Sequence, residues 1–268
     1  MQSEQLCNCT ARDSGPRIRA VFSKKDTRMI DFHTHILPGI DDGSRDIDMT
    51  EKMLRMEQSM GVSHIYATPH FYAHRRSIES FLERRNRALA KTRELLDKNL
   101  GLPDITAGAE VYYFNGIGRA KQLEDLCIEG TDILLLELPF AQWHSDIAKD
   151  ISELMDRRGF RVVLAHVERY EAFQKDRRVW ERLLDMPLTI QLNCEDFIDS
   201  GSLFRRNHRH KLSLDLLAEH DNVIIGSDCH NLTDRRPNLA EARVIIEKKA
   251  GTERLVQIDK YTKELLGY

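Results

Sequence analysis

The sequence predicts an α/β fold in which parallel strands and helices alternate to form a barrel. Three observations support this fold class. Short apolar segments alternate with longer helical patterns about seven times along the chain, as they do in parallel barrels. The segment 133–139 is apolar on both faces, as expected of a strand covered on both sides. Five predicted strands end in His, Asp or Glu, and in such barrels the active site lies at the carboxyl ends of the strands.

The predicted strands are short apolar runs bounded by turn residues or by polar side chains. In order along the chain they cover 29–35, 64–70, 104–110, 133–139, 160–166, 188–193 and 223–228. The first ends in His33 and His35, and the alternation of side chains along a strand places both imidazoles on the same side of the backbone. The Pro-Gly and Asp-Asp-Gly turns that follow return Asp41 and Asp42 towards the same end.

Helices are predicted between these strands and after the last one. They cover 46–60, 77–100, 146–158, 177–185, 210–219, 238–250 and 252–259. The first carries methionines at helical spacing, which we interpret as core packing, and Gly61 is suited to end it. Ser77 is placed to cap the second helix, which stops before Gly101.

Composition restricts the class of protein. The chain has 40 Lys and Arg against 43 Asp and Glu, a net charge of −3, which gives no electrostatic indication of nucleic-acid binding. No apolar run approaches the ~18–20 residues of a membrane span. Five cysteines without the paired spacing of a metal finger fit reduced thiols in a cytoplasm. Residues 1–28 are polar and show no sustained period, so we predict a mobile N-terminal extension before one domain at 29–268.

The strongest functional signal is the set of titratable residues at the strand ends. One strand-terminal histidine means little, but five strands that place His, Asp and Glu on one rim are hard to explain by packing. The candidate metal ligands are His33, His35, Asp42, His70, Glu110, His166, Asp228 and His230. Imidazoles and carboxylates without thiolates favour Mn²⁺, Fe or Zn²⁺, and the number of ligands predicts two or three ions. Such a cluster suits hydrolysis of a phosphate ester.

The order of the motifs resembles a known family. His-x-His, Asp-Asp-Gly, Thr-Pro-His, Gly-Ala-Glu, Ala-His-Val-Glu-Arg-Tyr and Ser-Asp-x-His-Asn, spread over 29–237, are similar to those of the PHP (polymerase and histidinol phosphatase) superfamily. They are more closely similar to the bacterial capsule-associated tyrosine phosphatases of the CpsB/YwqE type. This resemblance implies a distorted (β/α)₇ TIM-like barrel and a trinuclear site, usually with manganese, although Fe, Co or Zn would also suit. It also implies a substrate, the phosphotyrosine tail of the kinase that controls capsular or exopolysaccharide synthesis.

The resemblance further implies roles for individual residues. It assigns His33, His35, Glu110 and Asp228 to one metal, Glu110 and His166 to a second, and Asp42, His70 and His230 to a third. Arg169 and Arg235 match the catalytic, phosphate-binding arginines, and a planar guanidinium can grip two phosphoryl oxygens. A metal-bridging hydroxide is then expected to attack phosphorus in line. The tyrosine phenolate, with a solution pKa of about 10, is a tolerable leaving group.

Several alternatives remain open at this point. A PHP-type phosphoesterase would act on a small metabolite such as histidinol phosphate, and a metal-dependent scaffold would bind a kinase without catalysis. Cys229 and Arg235 also satisfy the Cys-x₅-Arg spacing of thiolate phosphatases, although the loop between them has no glycine. The basic and aromatic loop 71–76 either favours phosphotyrosine or is simply solvated. His74 and His144 are interpreted as surface histidines, with a role as acid or phosphate contact as the alternative, and oligomerisation is left open.

Overall fold

The computed structural model describes residues 29–198 and 205–268. The extension predicted at 1–28, which contains Cys7 and Cys9, lies outside the described residues. The strands are β1 (Met29–Thr34), β2 (Val62–Ala67), β3 (His70–Phe71), β4 (Asp104–Ala107), β5 (Glu110–Tyr112), β6 (Ile133–Glu137), β7 (Arg161–Leu164), β8 (Thr189–Asn193) and β9 (Val223–Gly226). The helices are α1 (Ile47–Ser59), α2 (Ile78–Lys98), α3 (Ser145–Ser152), α4 (Arg178–Leu184), α5 (Arg205–Glu219), α6 (Leu239–Ala250) and α7 (Thr252–Leu266).

The strands form two parallel sheets within a mixed α/β fold. One sheet has the order β1-β2-β4 and the other the order β3-β5-β6-β7-β8-β9. The end of β1 also lies beside the segment that follows β9, because Thr34 and Cys229 form an isolated parallel bridge. The N–H of Asp228 donates to the carbonyl of His33 at 2.8 Å, and that of His35 to the carbonyl of Cys229 at 2.9 Å. The carboxyl ends of the first and last strands are therefore adjacent.

Two predicted strands are each interrupted by an irregular pair of residues. The predicted strand 64–70 becomes β2 and β3, and 104–110 becomes β4 and β5. Parallel pairing continues across the breaks, since the N–H of Gly108 donates to Ala67 at 2.8 Å and that of Glu110 donates to Pro69 at 3.1 Å. A Cβ at Gly108 would lie 2.5 Å from the terminal Cδ1 of Ile128, so that side chain would have to move to accommodate any other residue. Pro69, which has no N–H, cannot itself extend the ladder as a donor.

The helix boundaries also differ in places from the sequence expectation. The predicted helix 210–219 begins earlier, at Arg205, and the predicted helix 252–259 continues to Leu266. The predicted helix 146–158 corresponds to α3 followed by a π-helical turn at Glu153–Arg157. Ser77 caps α2 as predicted, with its side chain accepting the N–H of Ser80. Helix ends are the least determined part of a sequence pattern because capping and tertiary packing decide them.

Alternate residues of several strands face a common apolar interior. This inner cluster includes Phe32, Tyr66, Ile133, Leu135, Val163 and Ile224, with Leu265 of α7 packed against them. Burying each large apolar side chain contributes about 1.5–3 kcal/mol, so the cluster strongly fixes the strand register. Ile133 and Leu135 share their face of β6 with Glu137, which therefore continues the inner face into the carboxyl end. In the part of the chain that the structure describes, no helix combines the length and apolar character needed to cross a membrane.

Candidate metal centre

The structure brings all eight predicted ligands together at the carboxyl ends of the strands. The buried ones are His33, His35, Glu110, His166, Asp228 and His230. His70 is slightly accessible, with 11% of its side chain exposed, whereas Asp42 at the mouth is 65% exposed. So many buried titratable groups in one place are costly unless they are paired or bound to a cation.

His33 and His35 present their Nε2 lone pairs to a common point. His33 Nδ1 lies 2.9 Å from Oε1 of Gln191, and that oxygen also accepts the backbone N–H of His166 at 2.8 Å. Nδ1 of His35 donates to Oδ2 of Asp41 at 2.7 Å. With the proton held on Nδ1 in both rings, both Nε2 atoms are acceptors, yet they lie only 3.2 Å apart. In this tautomer each ring directs the lone pair of Nε2 towards the other ring, and a metal ligand requires such a free lone pair.

Two carboxylates complete this first group of ligand atoms. Oε2 of Glu110 lies 3.3 Å from Nε2 of His33 and 3.2 Å from Nε2 of His35. Oδ1 of Asp228 lies 3.6 Å and 3.4 Å from the same two nitrogens. Burial disfavours a charged His33, but the neighbouring Glu110 and Asp228 outweigh it and raise its pKa. Ligand atoms of His33, His35 and Glu110 lie close enough together to hold one divalent cation, and Oδ1 of Asp228 lies beside both imidazoles.

A second group lies at the mouth and combines His35, Asp42, His70 and His230. Oδ1 of Asp42 is 3.6 Å from Nε2 of His70 and 3.5 Å from Nε2 of His230. Nδ1 of His230 donates to the carbonyl of Asp228 at 2.8 Å, which leaves Nε2 as an acceptor. The neighbouring imidazole of His230 lowers the pKa of Asp42, so this carboxyl is ionised at neutral pH. This group contains the three residues assigned to the third metal, together with His35.

A third group contains Glu137, a residue that the sequence reasoning missed. Nδ1 of His70 lies 2.8 Å from Oε2 of Glu110 and 3.7 Å from Oε2 of Glu137. Nε2 of His166 lies 2.9 Å from Oε1 of Glu110 and 3.7 Å from Oε1 of Glu137. Burial and the Glu110 charge raise the pKa of Glu137 to about 8. The available signal was a single charged residue at the end of an otherwise apolar strand.

Several buried polar atoms in these groups make no hydrogen bond of acceptable geometry within residues 29–198 and 205–268. They are Nδ1 of His70, Oε2 of Glu110, Oε2 of Glu137, Nδ1 of His166 and Nε2 of His230. Buried polar groups in folded proteins are almost always satisfied, so a concentration of unsatisfied ones in a single place indicates a ligand. Oxygen and imidazole nitrogen atoms without thiolates match hard or borderline divalent cations.

A second layer of side chains orients the candidate ligands. Gln191 Nε2 donates to Oδ1 of Asn193 at 3.0 Å, and Asn193 Nδ2 donates to Oδ2 of Asp228 at 2.9 Å. Asp41 accepts the backbone N–H of His70 at 3.0 Å as well as the imidazole of His35. The residue types alone do not reveal these roles, although the buried polar residues at alternate positions of β8 are a period-two signal. Such partners fix the tautomer and direction of metal ligands.

The two predicted arginines lie at the edge of the cluster. Nη2 of Arg235 is 2.8 Å from Oδ2 of Asp228, and Nη1 of Arg169 is 3.4 Å from the same oxygen. Their side chains are 31% and 30% exposed. Each guanidinium has further N–H donors beyond this contact, so both can reach a phosphoryl group at the mouth.

Aromatic rings border the mouth on two sides. Phe140, 36% exposed, stacks on His166 with ring centroids 5.8 Å apart, and Cζ of Arg169 lies 5.1 Å from its centroid. On the other side the ring of Tyr72 lies 5.2 Å from that of His70. His74 and His144 are exposed, as expected of surface histidines.

Cys229 does not have the surroundings of a catalytic thiolate. Its side chain is fully buried, and Sγ lies 3.9 Å from Oε1 of Glu57. Burial, reinforced by the charges of Glu57 and Asp31, raises the pKa of the thiol well above its ordinary value. A nucleophilic cysteine needs an accessible, electropositive site that lowers this pKa. The geometry therefore disfavours the Cys-x₅-Arg alternative.

Comparison with known proteins gives concordant matches. The chain is 27% identical over 243 residues to tyrosine-protein phosphatase CpsB of Streptococcus pneumoniae, covering 86% of this chain and 94% of that protein. It is 28% identical over 234 residues to tyrosine-protein phosphatase YwqE of Bacillus subtilis (strain 168), covering 84% and 86%. A solved structure from work on YwqE and CpsB, described as metal-dependent tyrosine phosphatases, superimposes with a TM-score of 0.72 at 23% identity. That alignment covers 89% of this chain and 94% of the other, and it shows a shared fold.

A family model described as capsular polysaccharide synthesis, CpsB/CapC, matches residues 29–264. The matched span contains every residue of the three candidate metal groups and both arginines. It also confirms the family resemblance that the order of motifs indicated. The chain belongs to the CpsB/CapC family of capsular polysaccharide synthesis proteins.

Proposed function

We propose that this chain is a metal-dependent protein-tyrosine phosphatase. Its substrate is phosphotyrosine on a bacterial tyrosine kinase that controls capsular or exopolysaccharide synthesis. The observation that carries the proposal is the convergence of two imidazoles and two carboxylates, His33, His35, Glu110 and Asp228, beside two partly exposed arginines. The named relatives, tyrosine-protein phosphatases along most of their length, support the reaction class.

The candidate ligands divide into three metal positions that share residues. His33, His35, Glu110 and Asp228 hold the first, Glu110, His166, Glu137 and His70 surround the second, and Asp42, His70 and His230 with His35 surround the third. We infer two or three divalent ions, with Mn²⁺ as the first choice and Fe, Co or Zn as alternatives. When bound, such ions supply a water of lowered pKa and neutralise charge on the phosphoryl oxygens.

The arginines and the aromatic rings determine how the substrate would lie. Arg169 and Arg235 converge on Asp228, so a phosphoryl group placed over that carboxylate meets donors from both guanidiniums. These donors oppose the negative charge that grows on the phosphoryl oxygens in the transition state. Phe140 is partly exposed beside His166 and Arg169, and its aromatic ring suits a phenyl ring better than an alkyl chain.

The strands suit a distorted (β/α)₇ barrel in which β2 with β3 and β4 with β5 each count as one strand. The bridge between Thr34 and Cys229 supports closure of such a barrel between the first and last strands. We also infer a cytoplasmic location, since Cys127, Cys194 and Cys229 are buried free thiols, as expected in a reducing compartment.

The test is phosphatase activity on a phosphotyrosine peptide and on histidinol phosphate, after chelation and then after Mn²⁺ is added back. We expect the peptide to be preferred, activity to return with the metal, and Cys229→Ser to keep it. Activity that ignores the metal but disappears in Cys229→Ser would refute the proposal. A preference for histidinol phosphate would support metal-dependent phosphate ester hydrolysis but would identify the substrate as a small metabolite instead of a phosphotyrosine protein.

A further inference from the structure

Three arginines beside the mouth have no acidic partner. Arg75 and Arg76 follow β3, and Arg84 lies in the second turn of α2; we call these three residues the arginine rim. No carboxylate pairs with any of them within 29–198 and 205–268, and Arg76 is instead influenced by the like charges of Arg84 and Arg75. Many other surface arginines are paired with a carboxylate, as Arg93 is with Glu129 at 3.0 Å. The rim is therefore an uncompensated positive surface.

The rim is tied directly to the candidate metal centre. Cζ of Arg75 lies 4.5 Å from the ring centroid of Tyr72, and that ring is 5.2 Å from the ring of His70. Nη2 of Arg84 donates to the carbonyl of Gly39 at 3.3 Å, in the loop that carries Asp42. The rim thus borders the mouth on the side of His70 and Asp42. Phe140, by contrast, lies on the side of His166.

Clustered like charges oppose folding unless an anion offsets them, which indicates a binding role. Burial and the neighbouring Arg84 and Arg75 lower the pKa of Arg76, as expected when guanidiniums are held close together. The whole chain carries a net charge of −3, so the rim is a local feature rather than part of an extended basic surface.

We propose that the arginine rim binds anionic side chains that flank the phosphotyrosine of the substrate peptide. The inference rests on the proposed function and specifies its substrate class as phosphotyrosine within an acidic sequence. An extended peptide advances about 3.3 Å per residue, so side chains roughly two to four positions from the tyrosine reach the rim. Carboxylates and a second phosphate group share the required chemistry. Each exposed ion pair contributes a factor of about 1.5 to 5 in affinity.

The experiment compares kcat/KM of the Mn²⁺-loaded enzyme for three phosphotyrosine peptides. They are identical except that the flanking positions carry Glu, Gln or phosphoserine. At low salt we expect the Glu peptide to exceed the Gln peptide by roughly 10-fold, and the ratio to shrink as salt rises. If kcat/KM is higher for the phosphoserine peptide than for the Glu peptide, the rim binds a second phosphate group. If it is higher for the Glu peptide, the rim binds carboxylates.

The double variant Arg75→Gln/Arg76→Gln should reduce the Glu-to-Gln ratio to about twofold or less. Turnover of p-nitrophenyl phosphate, which has no flanking sequence, should stay within about twofold of wild type. The matched control Arg93→Gln/Arg157→Gln removes the same charge from paired surface arginines and should keep the wild-type ratio. The inference is overturned by equal kcat/KM for the Glu and Gln peptides, or by an unchanged ratio in the rim variant. Failure of the proposed function would instead appear as no turnover of any phosphotyrosine peptide.

Discussion

Asp41→Asn tests whether the second layer of the metal centre orients its ligands. One carboxylate oxygen of Asp41 accepts Nδ1–H of His35 at 2.7 Å and the N–H of His70 at 3.0 Å. The other oxygen accepts the N–H of Gly43 at 3.0 Å. An asparagine has one acceptor oxygen and no charge, so at least one of these bonds is lost and His35 loses its charged partner. We expect the affinity for Mn²⁺ to fall by about 10- to 100-fold, which corresponds to about 1.4–2.7 kcal/mol.

The magnitude follows independently from the bond itself. A hydrogen bond to a charged group contributes about 1.5–3 kcal/mol, which covers the same range. Isothermal titration of the metal-free protein with Mn²⁺ measures the effect directly, and the thermal transition of each variant confirms that it is folded. The matched control is Asp46→Asn in the same segment, because Asp46 caps α1 through the N–H of Met49 and asparagine caps equally well. A Kd for Mn²⁺ within about twofold of wild type in folded Asp41→Asn would refute this orienting role. An equal loss of Mn²⁺ affinity in Asp46→Asn would show that the lost negative charge of the loop, rather than the hydrogen bonds of Asp41, causes the effect.

Four further predictions address metal affinity, the stability of the metal-free fold, the phosphate and the tyrosine ring. Because the pKa of Glu137 is raised to about 8, metal binding must displace its proton. Mn²⁺ affinity should therefore rise with pH below pH 8, and Glu137→Gln should remove up to a tenfold change per pH unit from that slope when the titration is repeated across pH. The same raised pKa makes the metal-free fold lose thermal stability as pH rises from about 4.5 to about 8, since the folded state holds a proton that the unfolded chain releases. Arg235→Ala should lower kcat/KM by about 10²- to 10³-fold while Mn²⁺ affinity is retained. In the control, Arg236, which pairs with Glu241, is replaced by Ala, and kcat/KM should stay near wild type. Equal kinetics in the two variants would disprove the role of Arg235. Phe140→Ala should raise KM for a phosphotyrosine peptide by about 2- to 10-fold and leave KM for a phosphoserine peptide unchanged, and parallel changes for both substrates would contradict an aryl-binding role.

Titratable candidate ligands could be placed from the sequence because their position at strand ends and their side-chain chemistry both indicated a metal site. His33, His70 and Glu110 stand at the ends of apolar segments, and parallel strands bring such ends to one edge. The structure gathers them as expected. The sequence could not show where each strand leaves the hydrogen-bonded ladder. The breaks after Ala67 and Ala107 depend on tertiary contacts such as the approach of Ile128 to Gly108.

Glu137 and Gln191 escaped prediction for a different physical reason. Glu137 ends a strand that is buried on both faces, so only the register relative to β5 and β7 decides whether its carboxylate enters the site. Gln191 is a neutral amide whose role appears only when Nδ1 of His33 is seen 2.9 Å away. Asp41 and Asp42 were predicted together, but their division into one orienting and one ligating carboxylate depends on a turn geometry that neighbouring aspartates cannot reveal.

The backbone at two candidate ligands shows how the fold directs side chains into the centre. His166 and Asp228 have φ of 32° and 51°, in the left-handed region that residues with a Cβ rarely adopt. Each lies two residues beyond the end of an extended strand, β7 or β9, so the change of φ redirects the chain where the side chain enters the centre. Such conformations cost on the order of 1–3 kcal/mol and persist only where surrounding bonds hold them. Here the N–H of His166 donates to Gln191 at 2.8 Å and that of Asp228 to the carbonyl of His33 at 2.8 Å. Both bonds involve His33, because Gln191 also contacts Nδ1 of His33 and the carbonyl is that of His33 itself. The contacts that position the metal ligands therefore also hold the two strained residues. Disrupting these contacts should release both ligands together rather than one at a time.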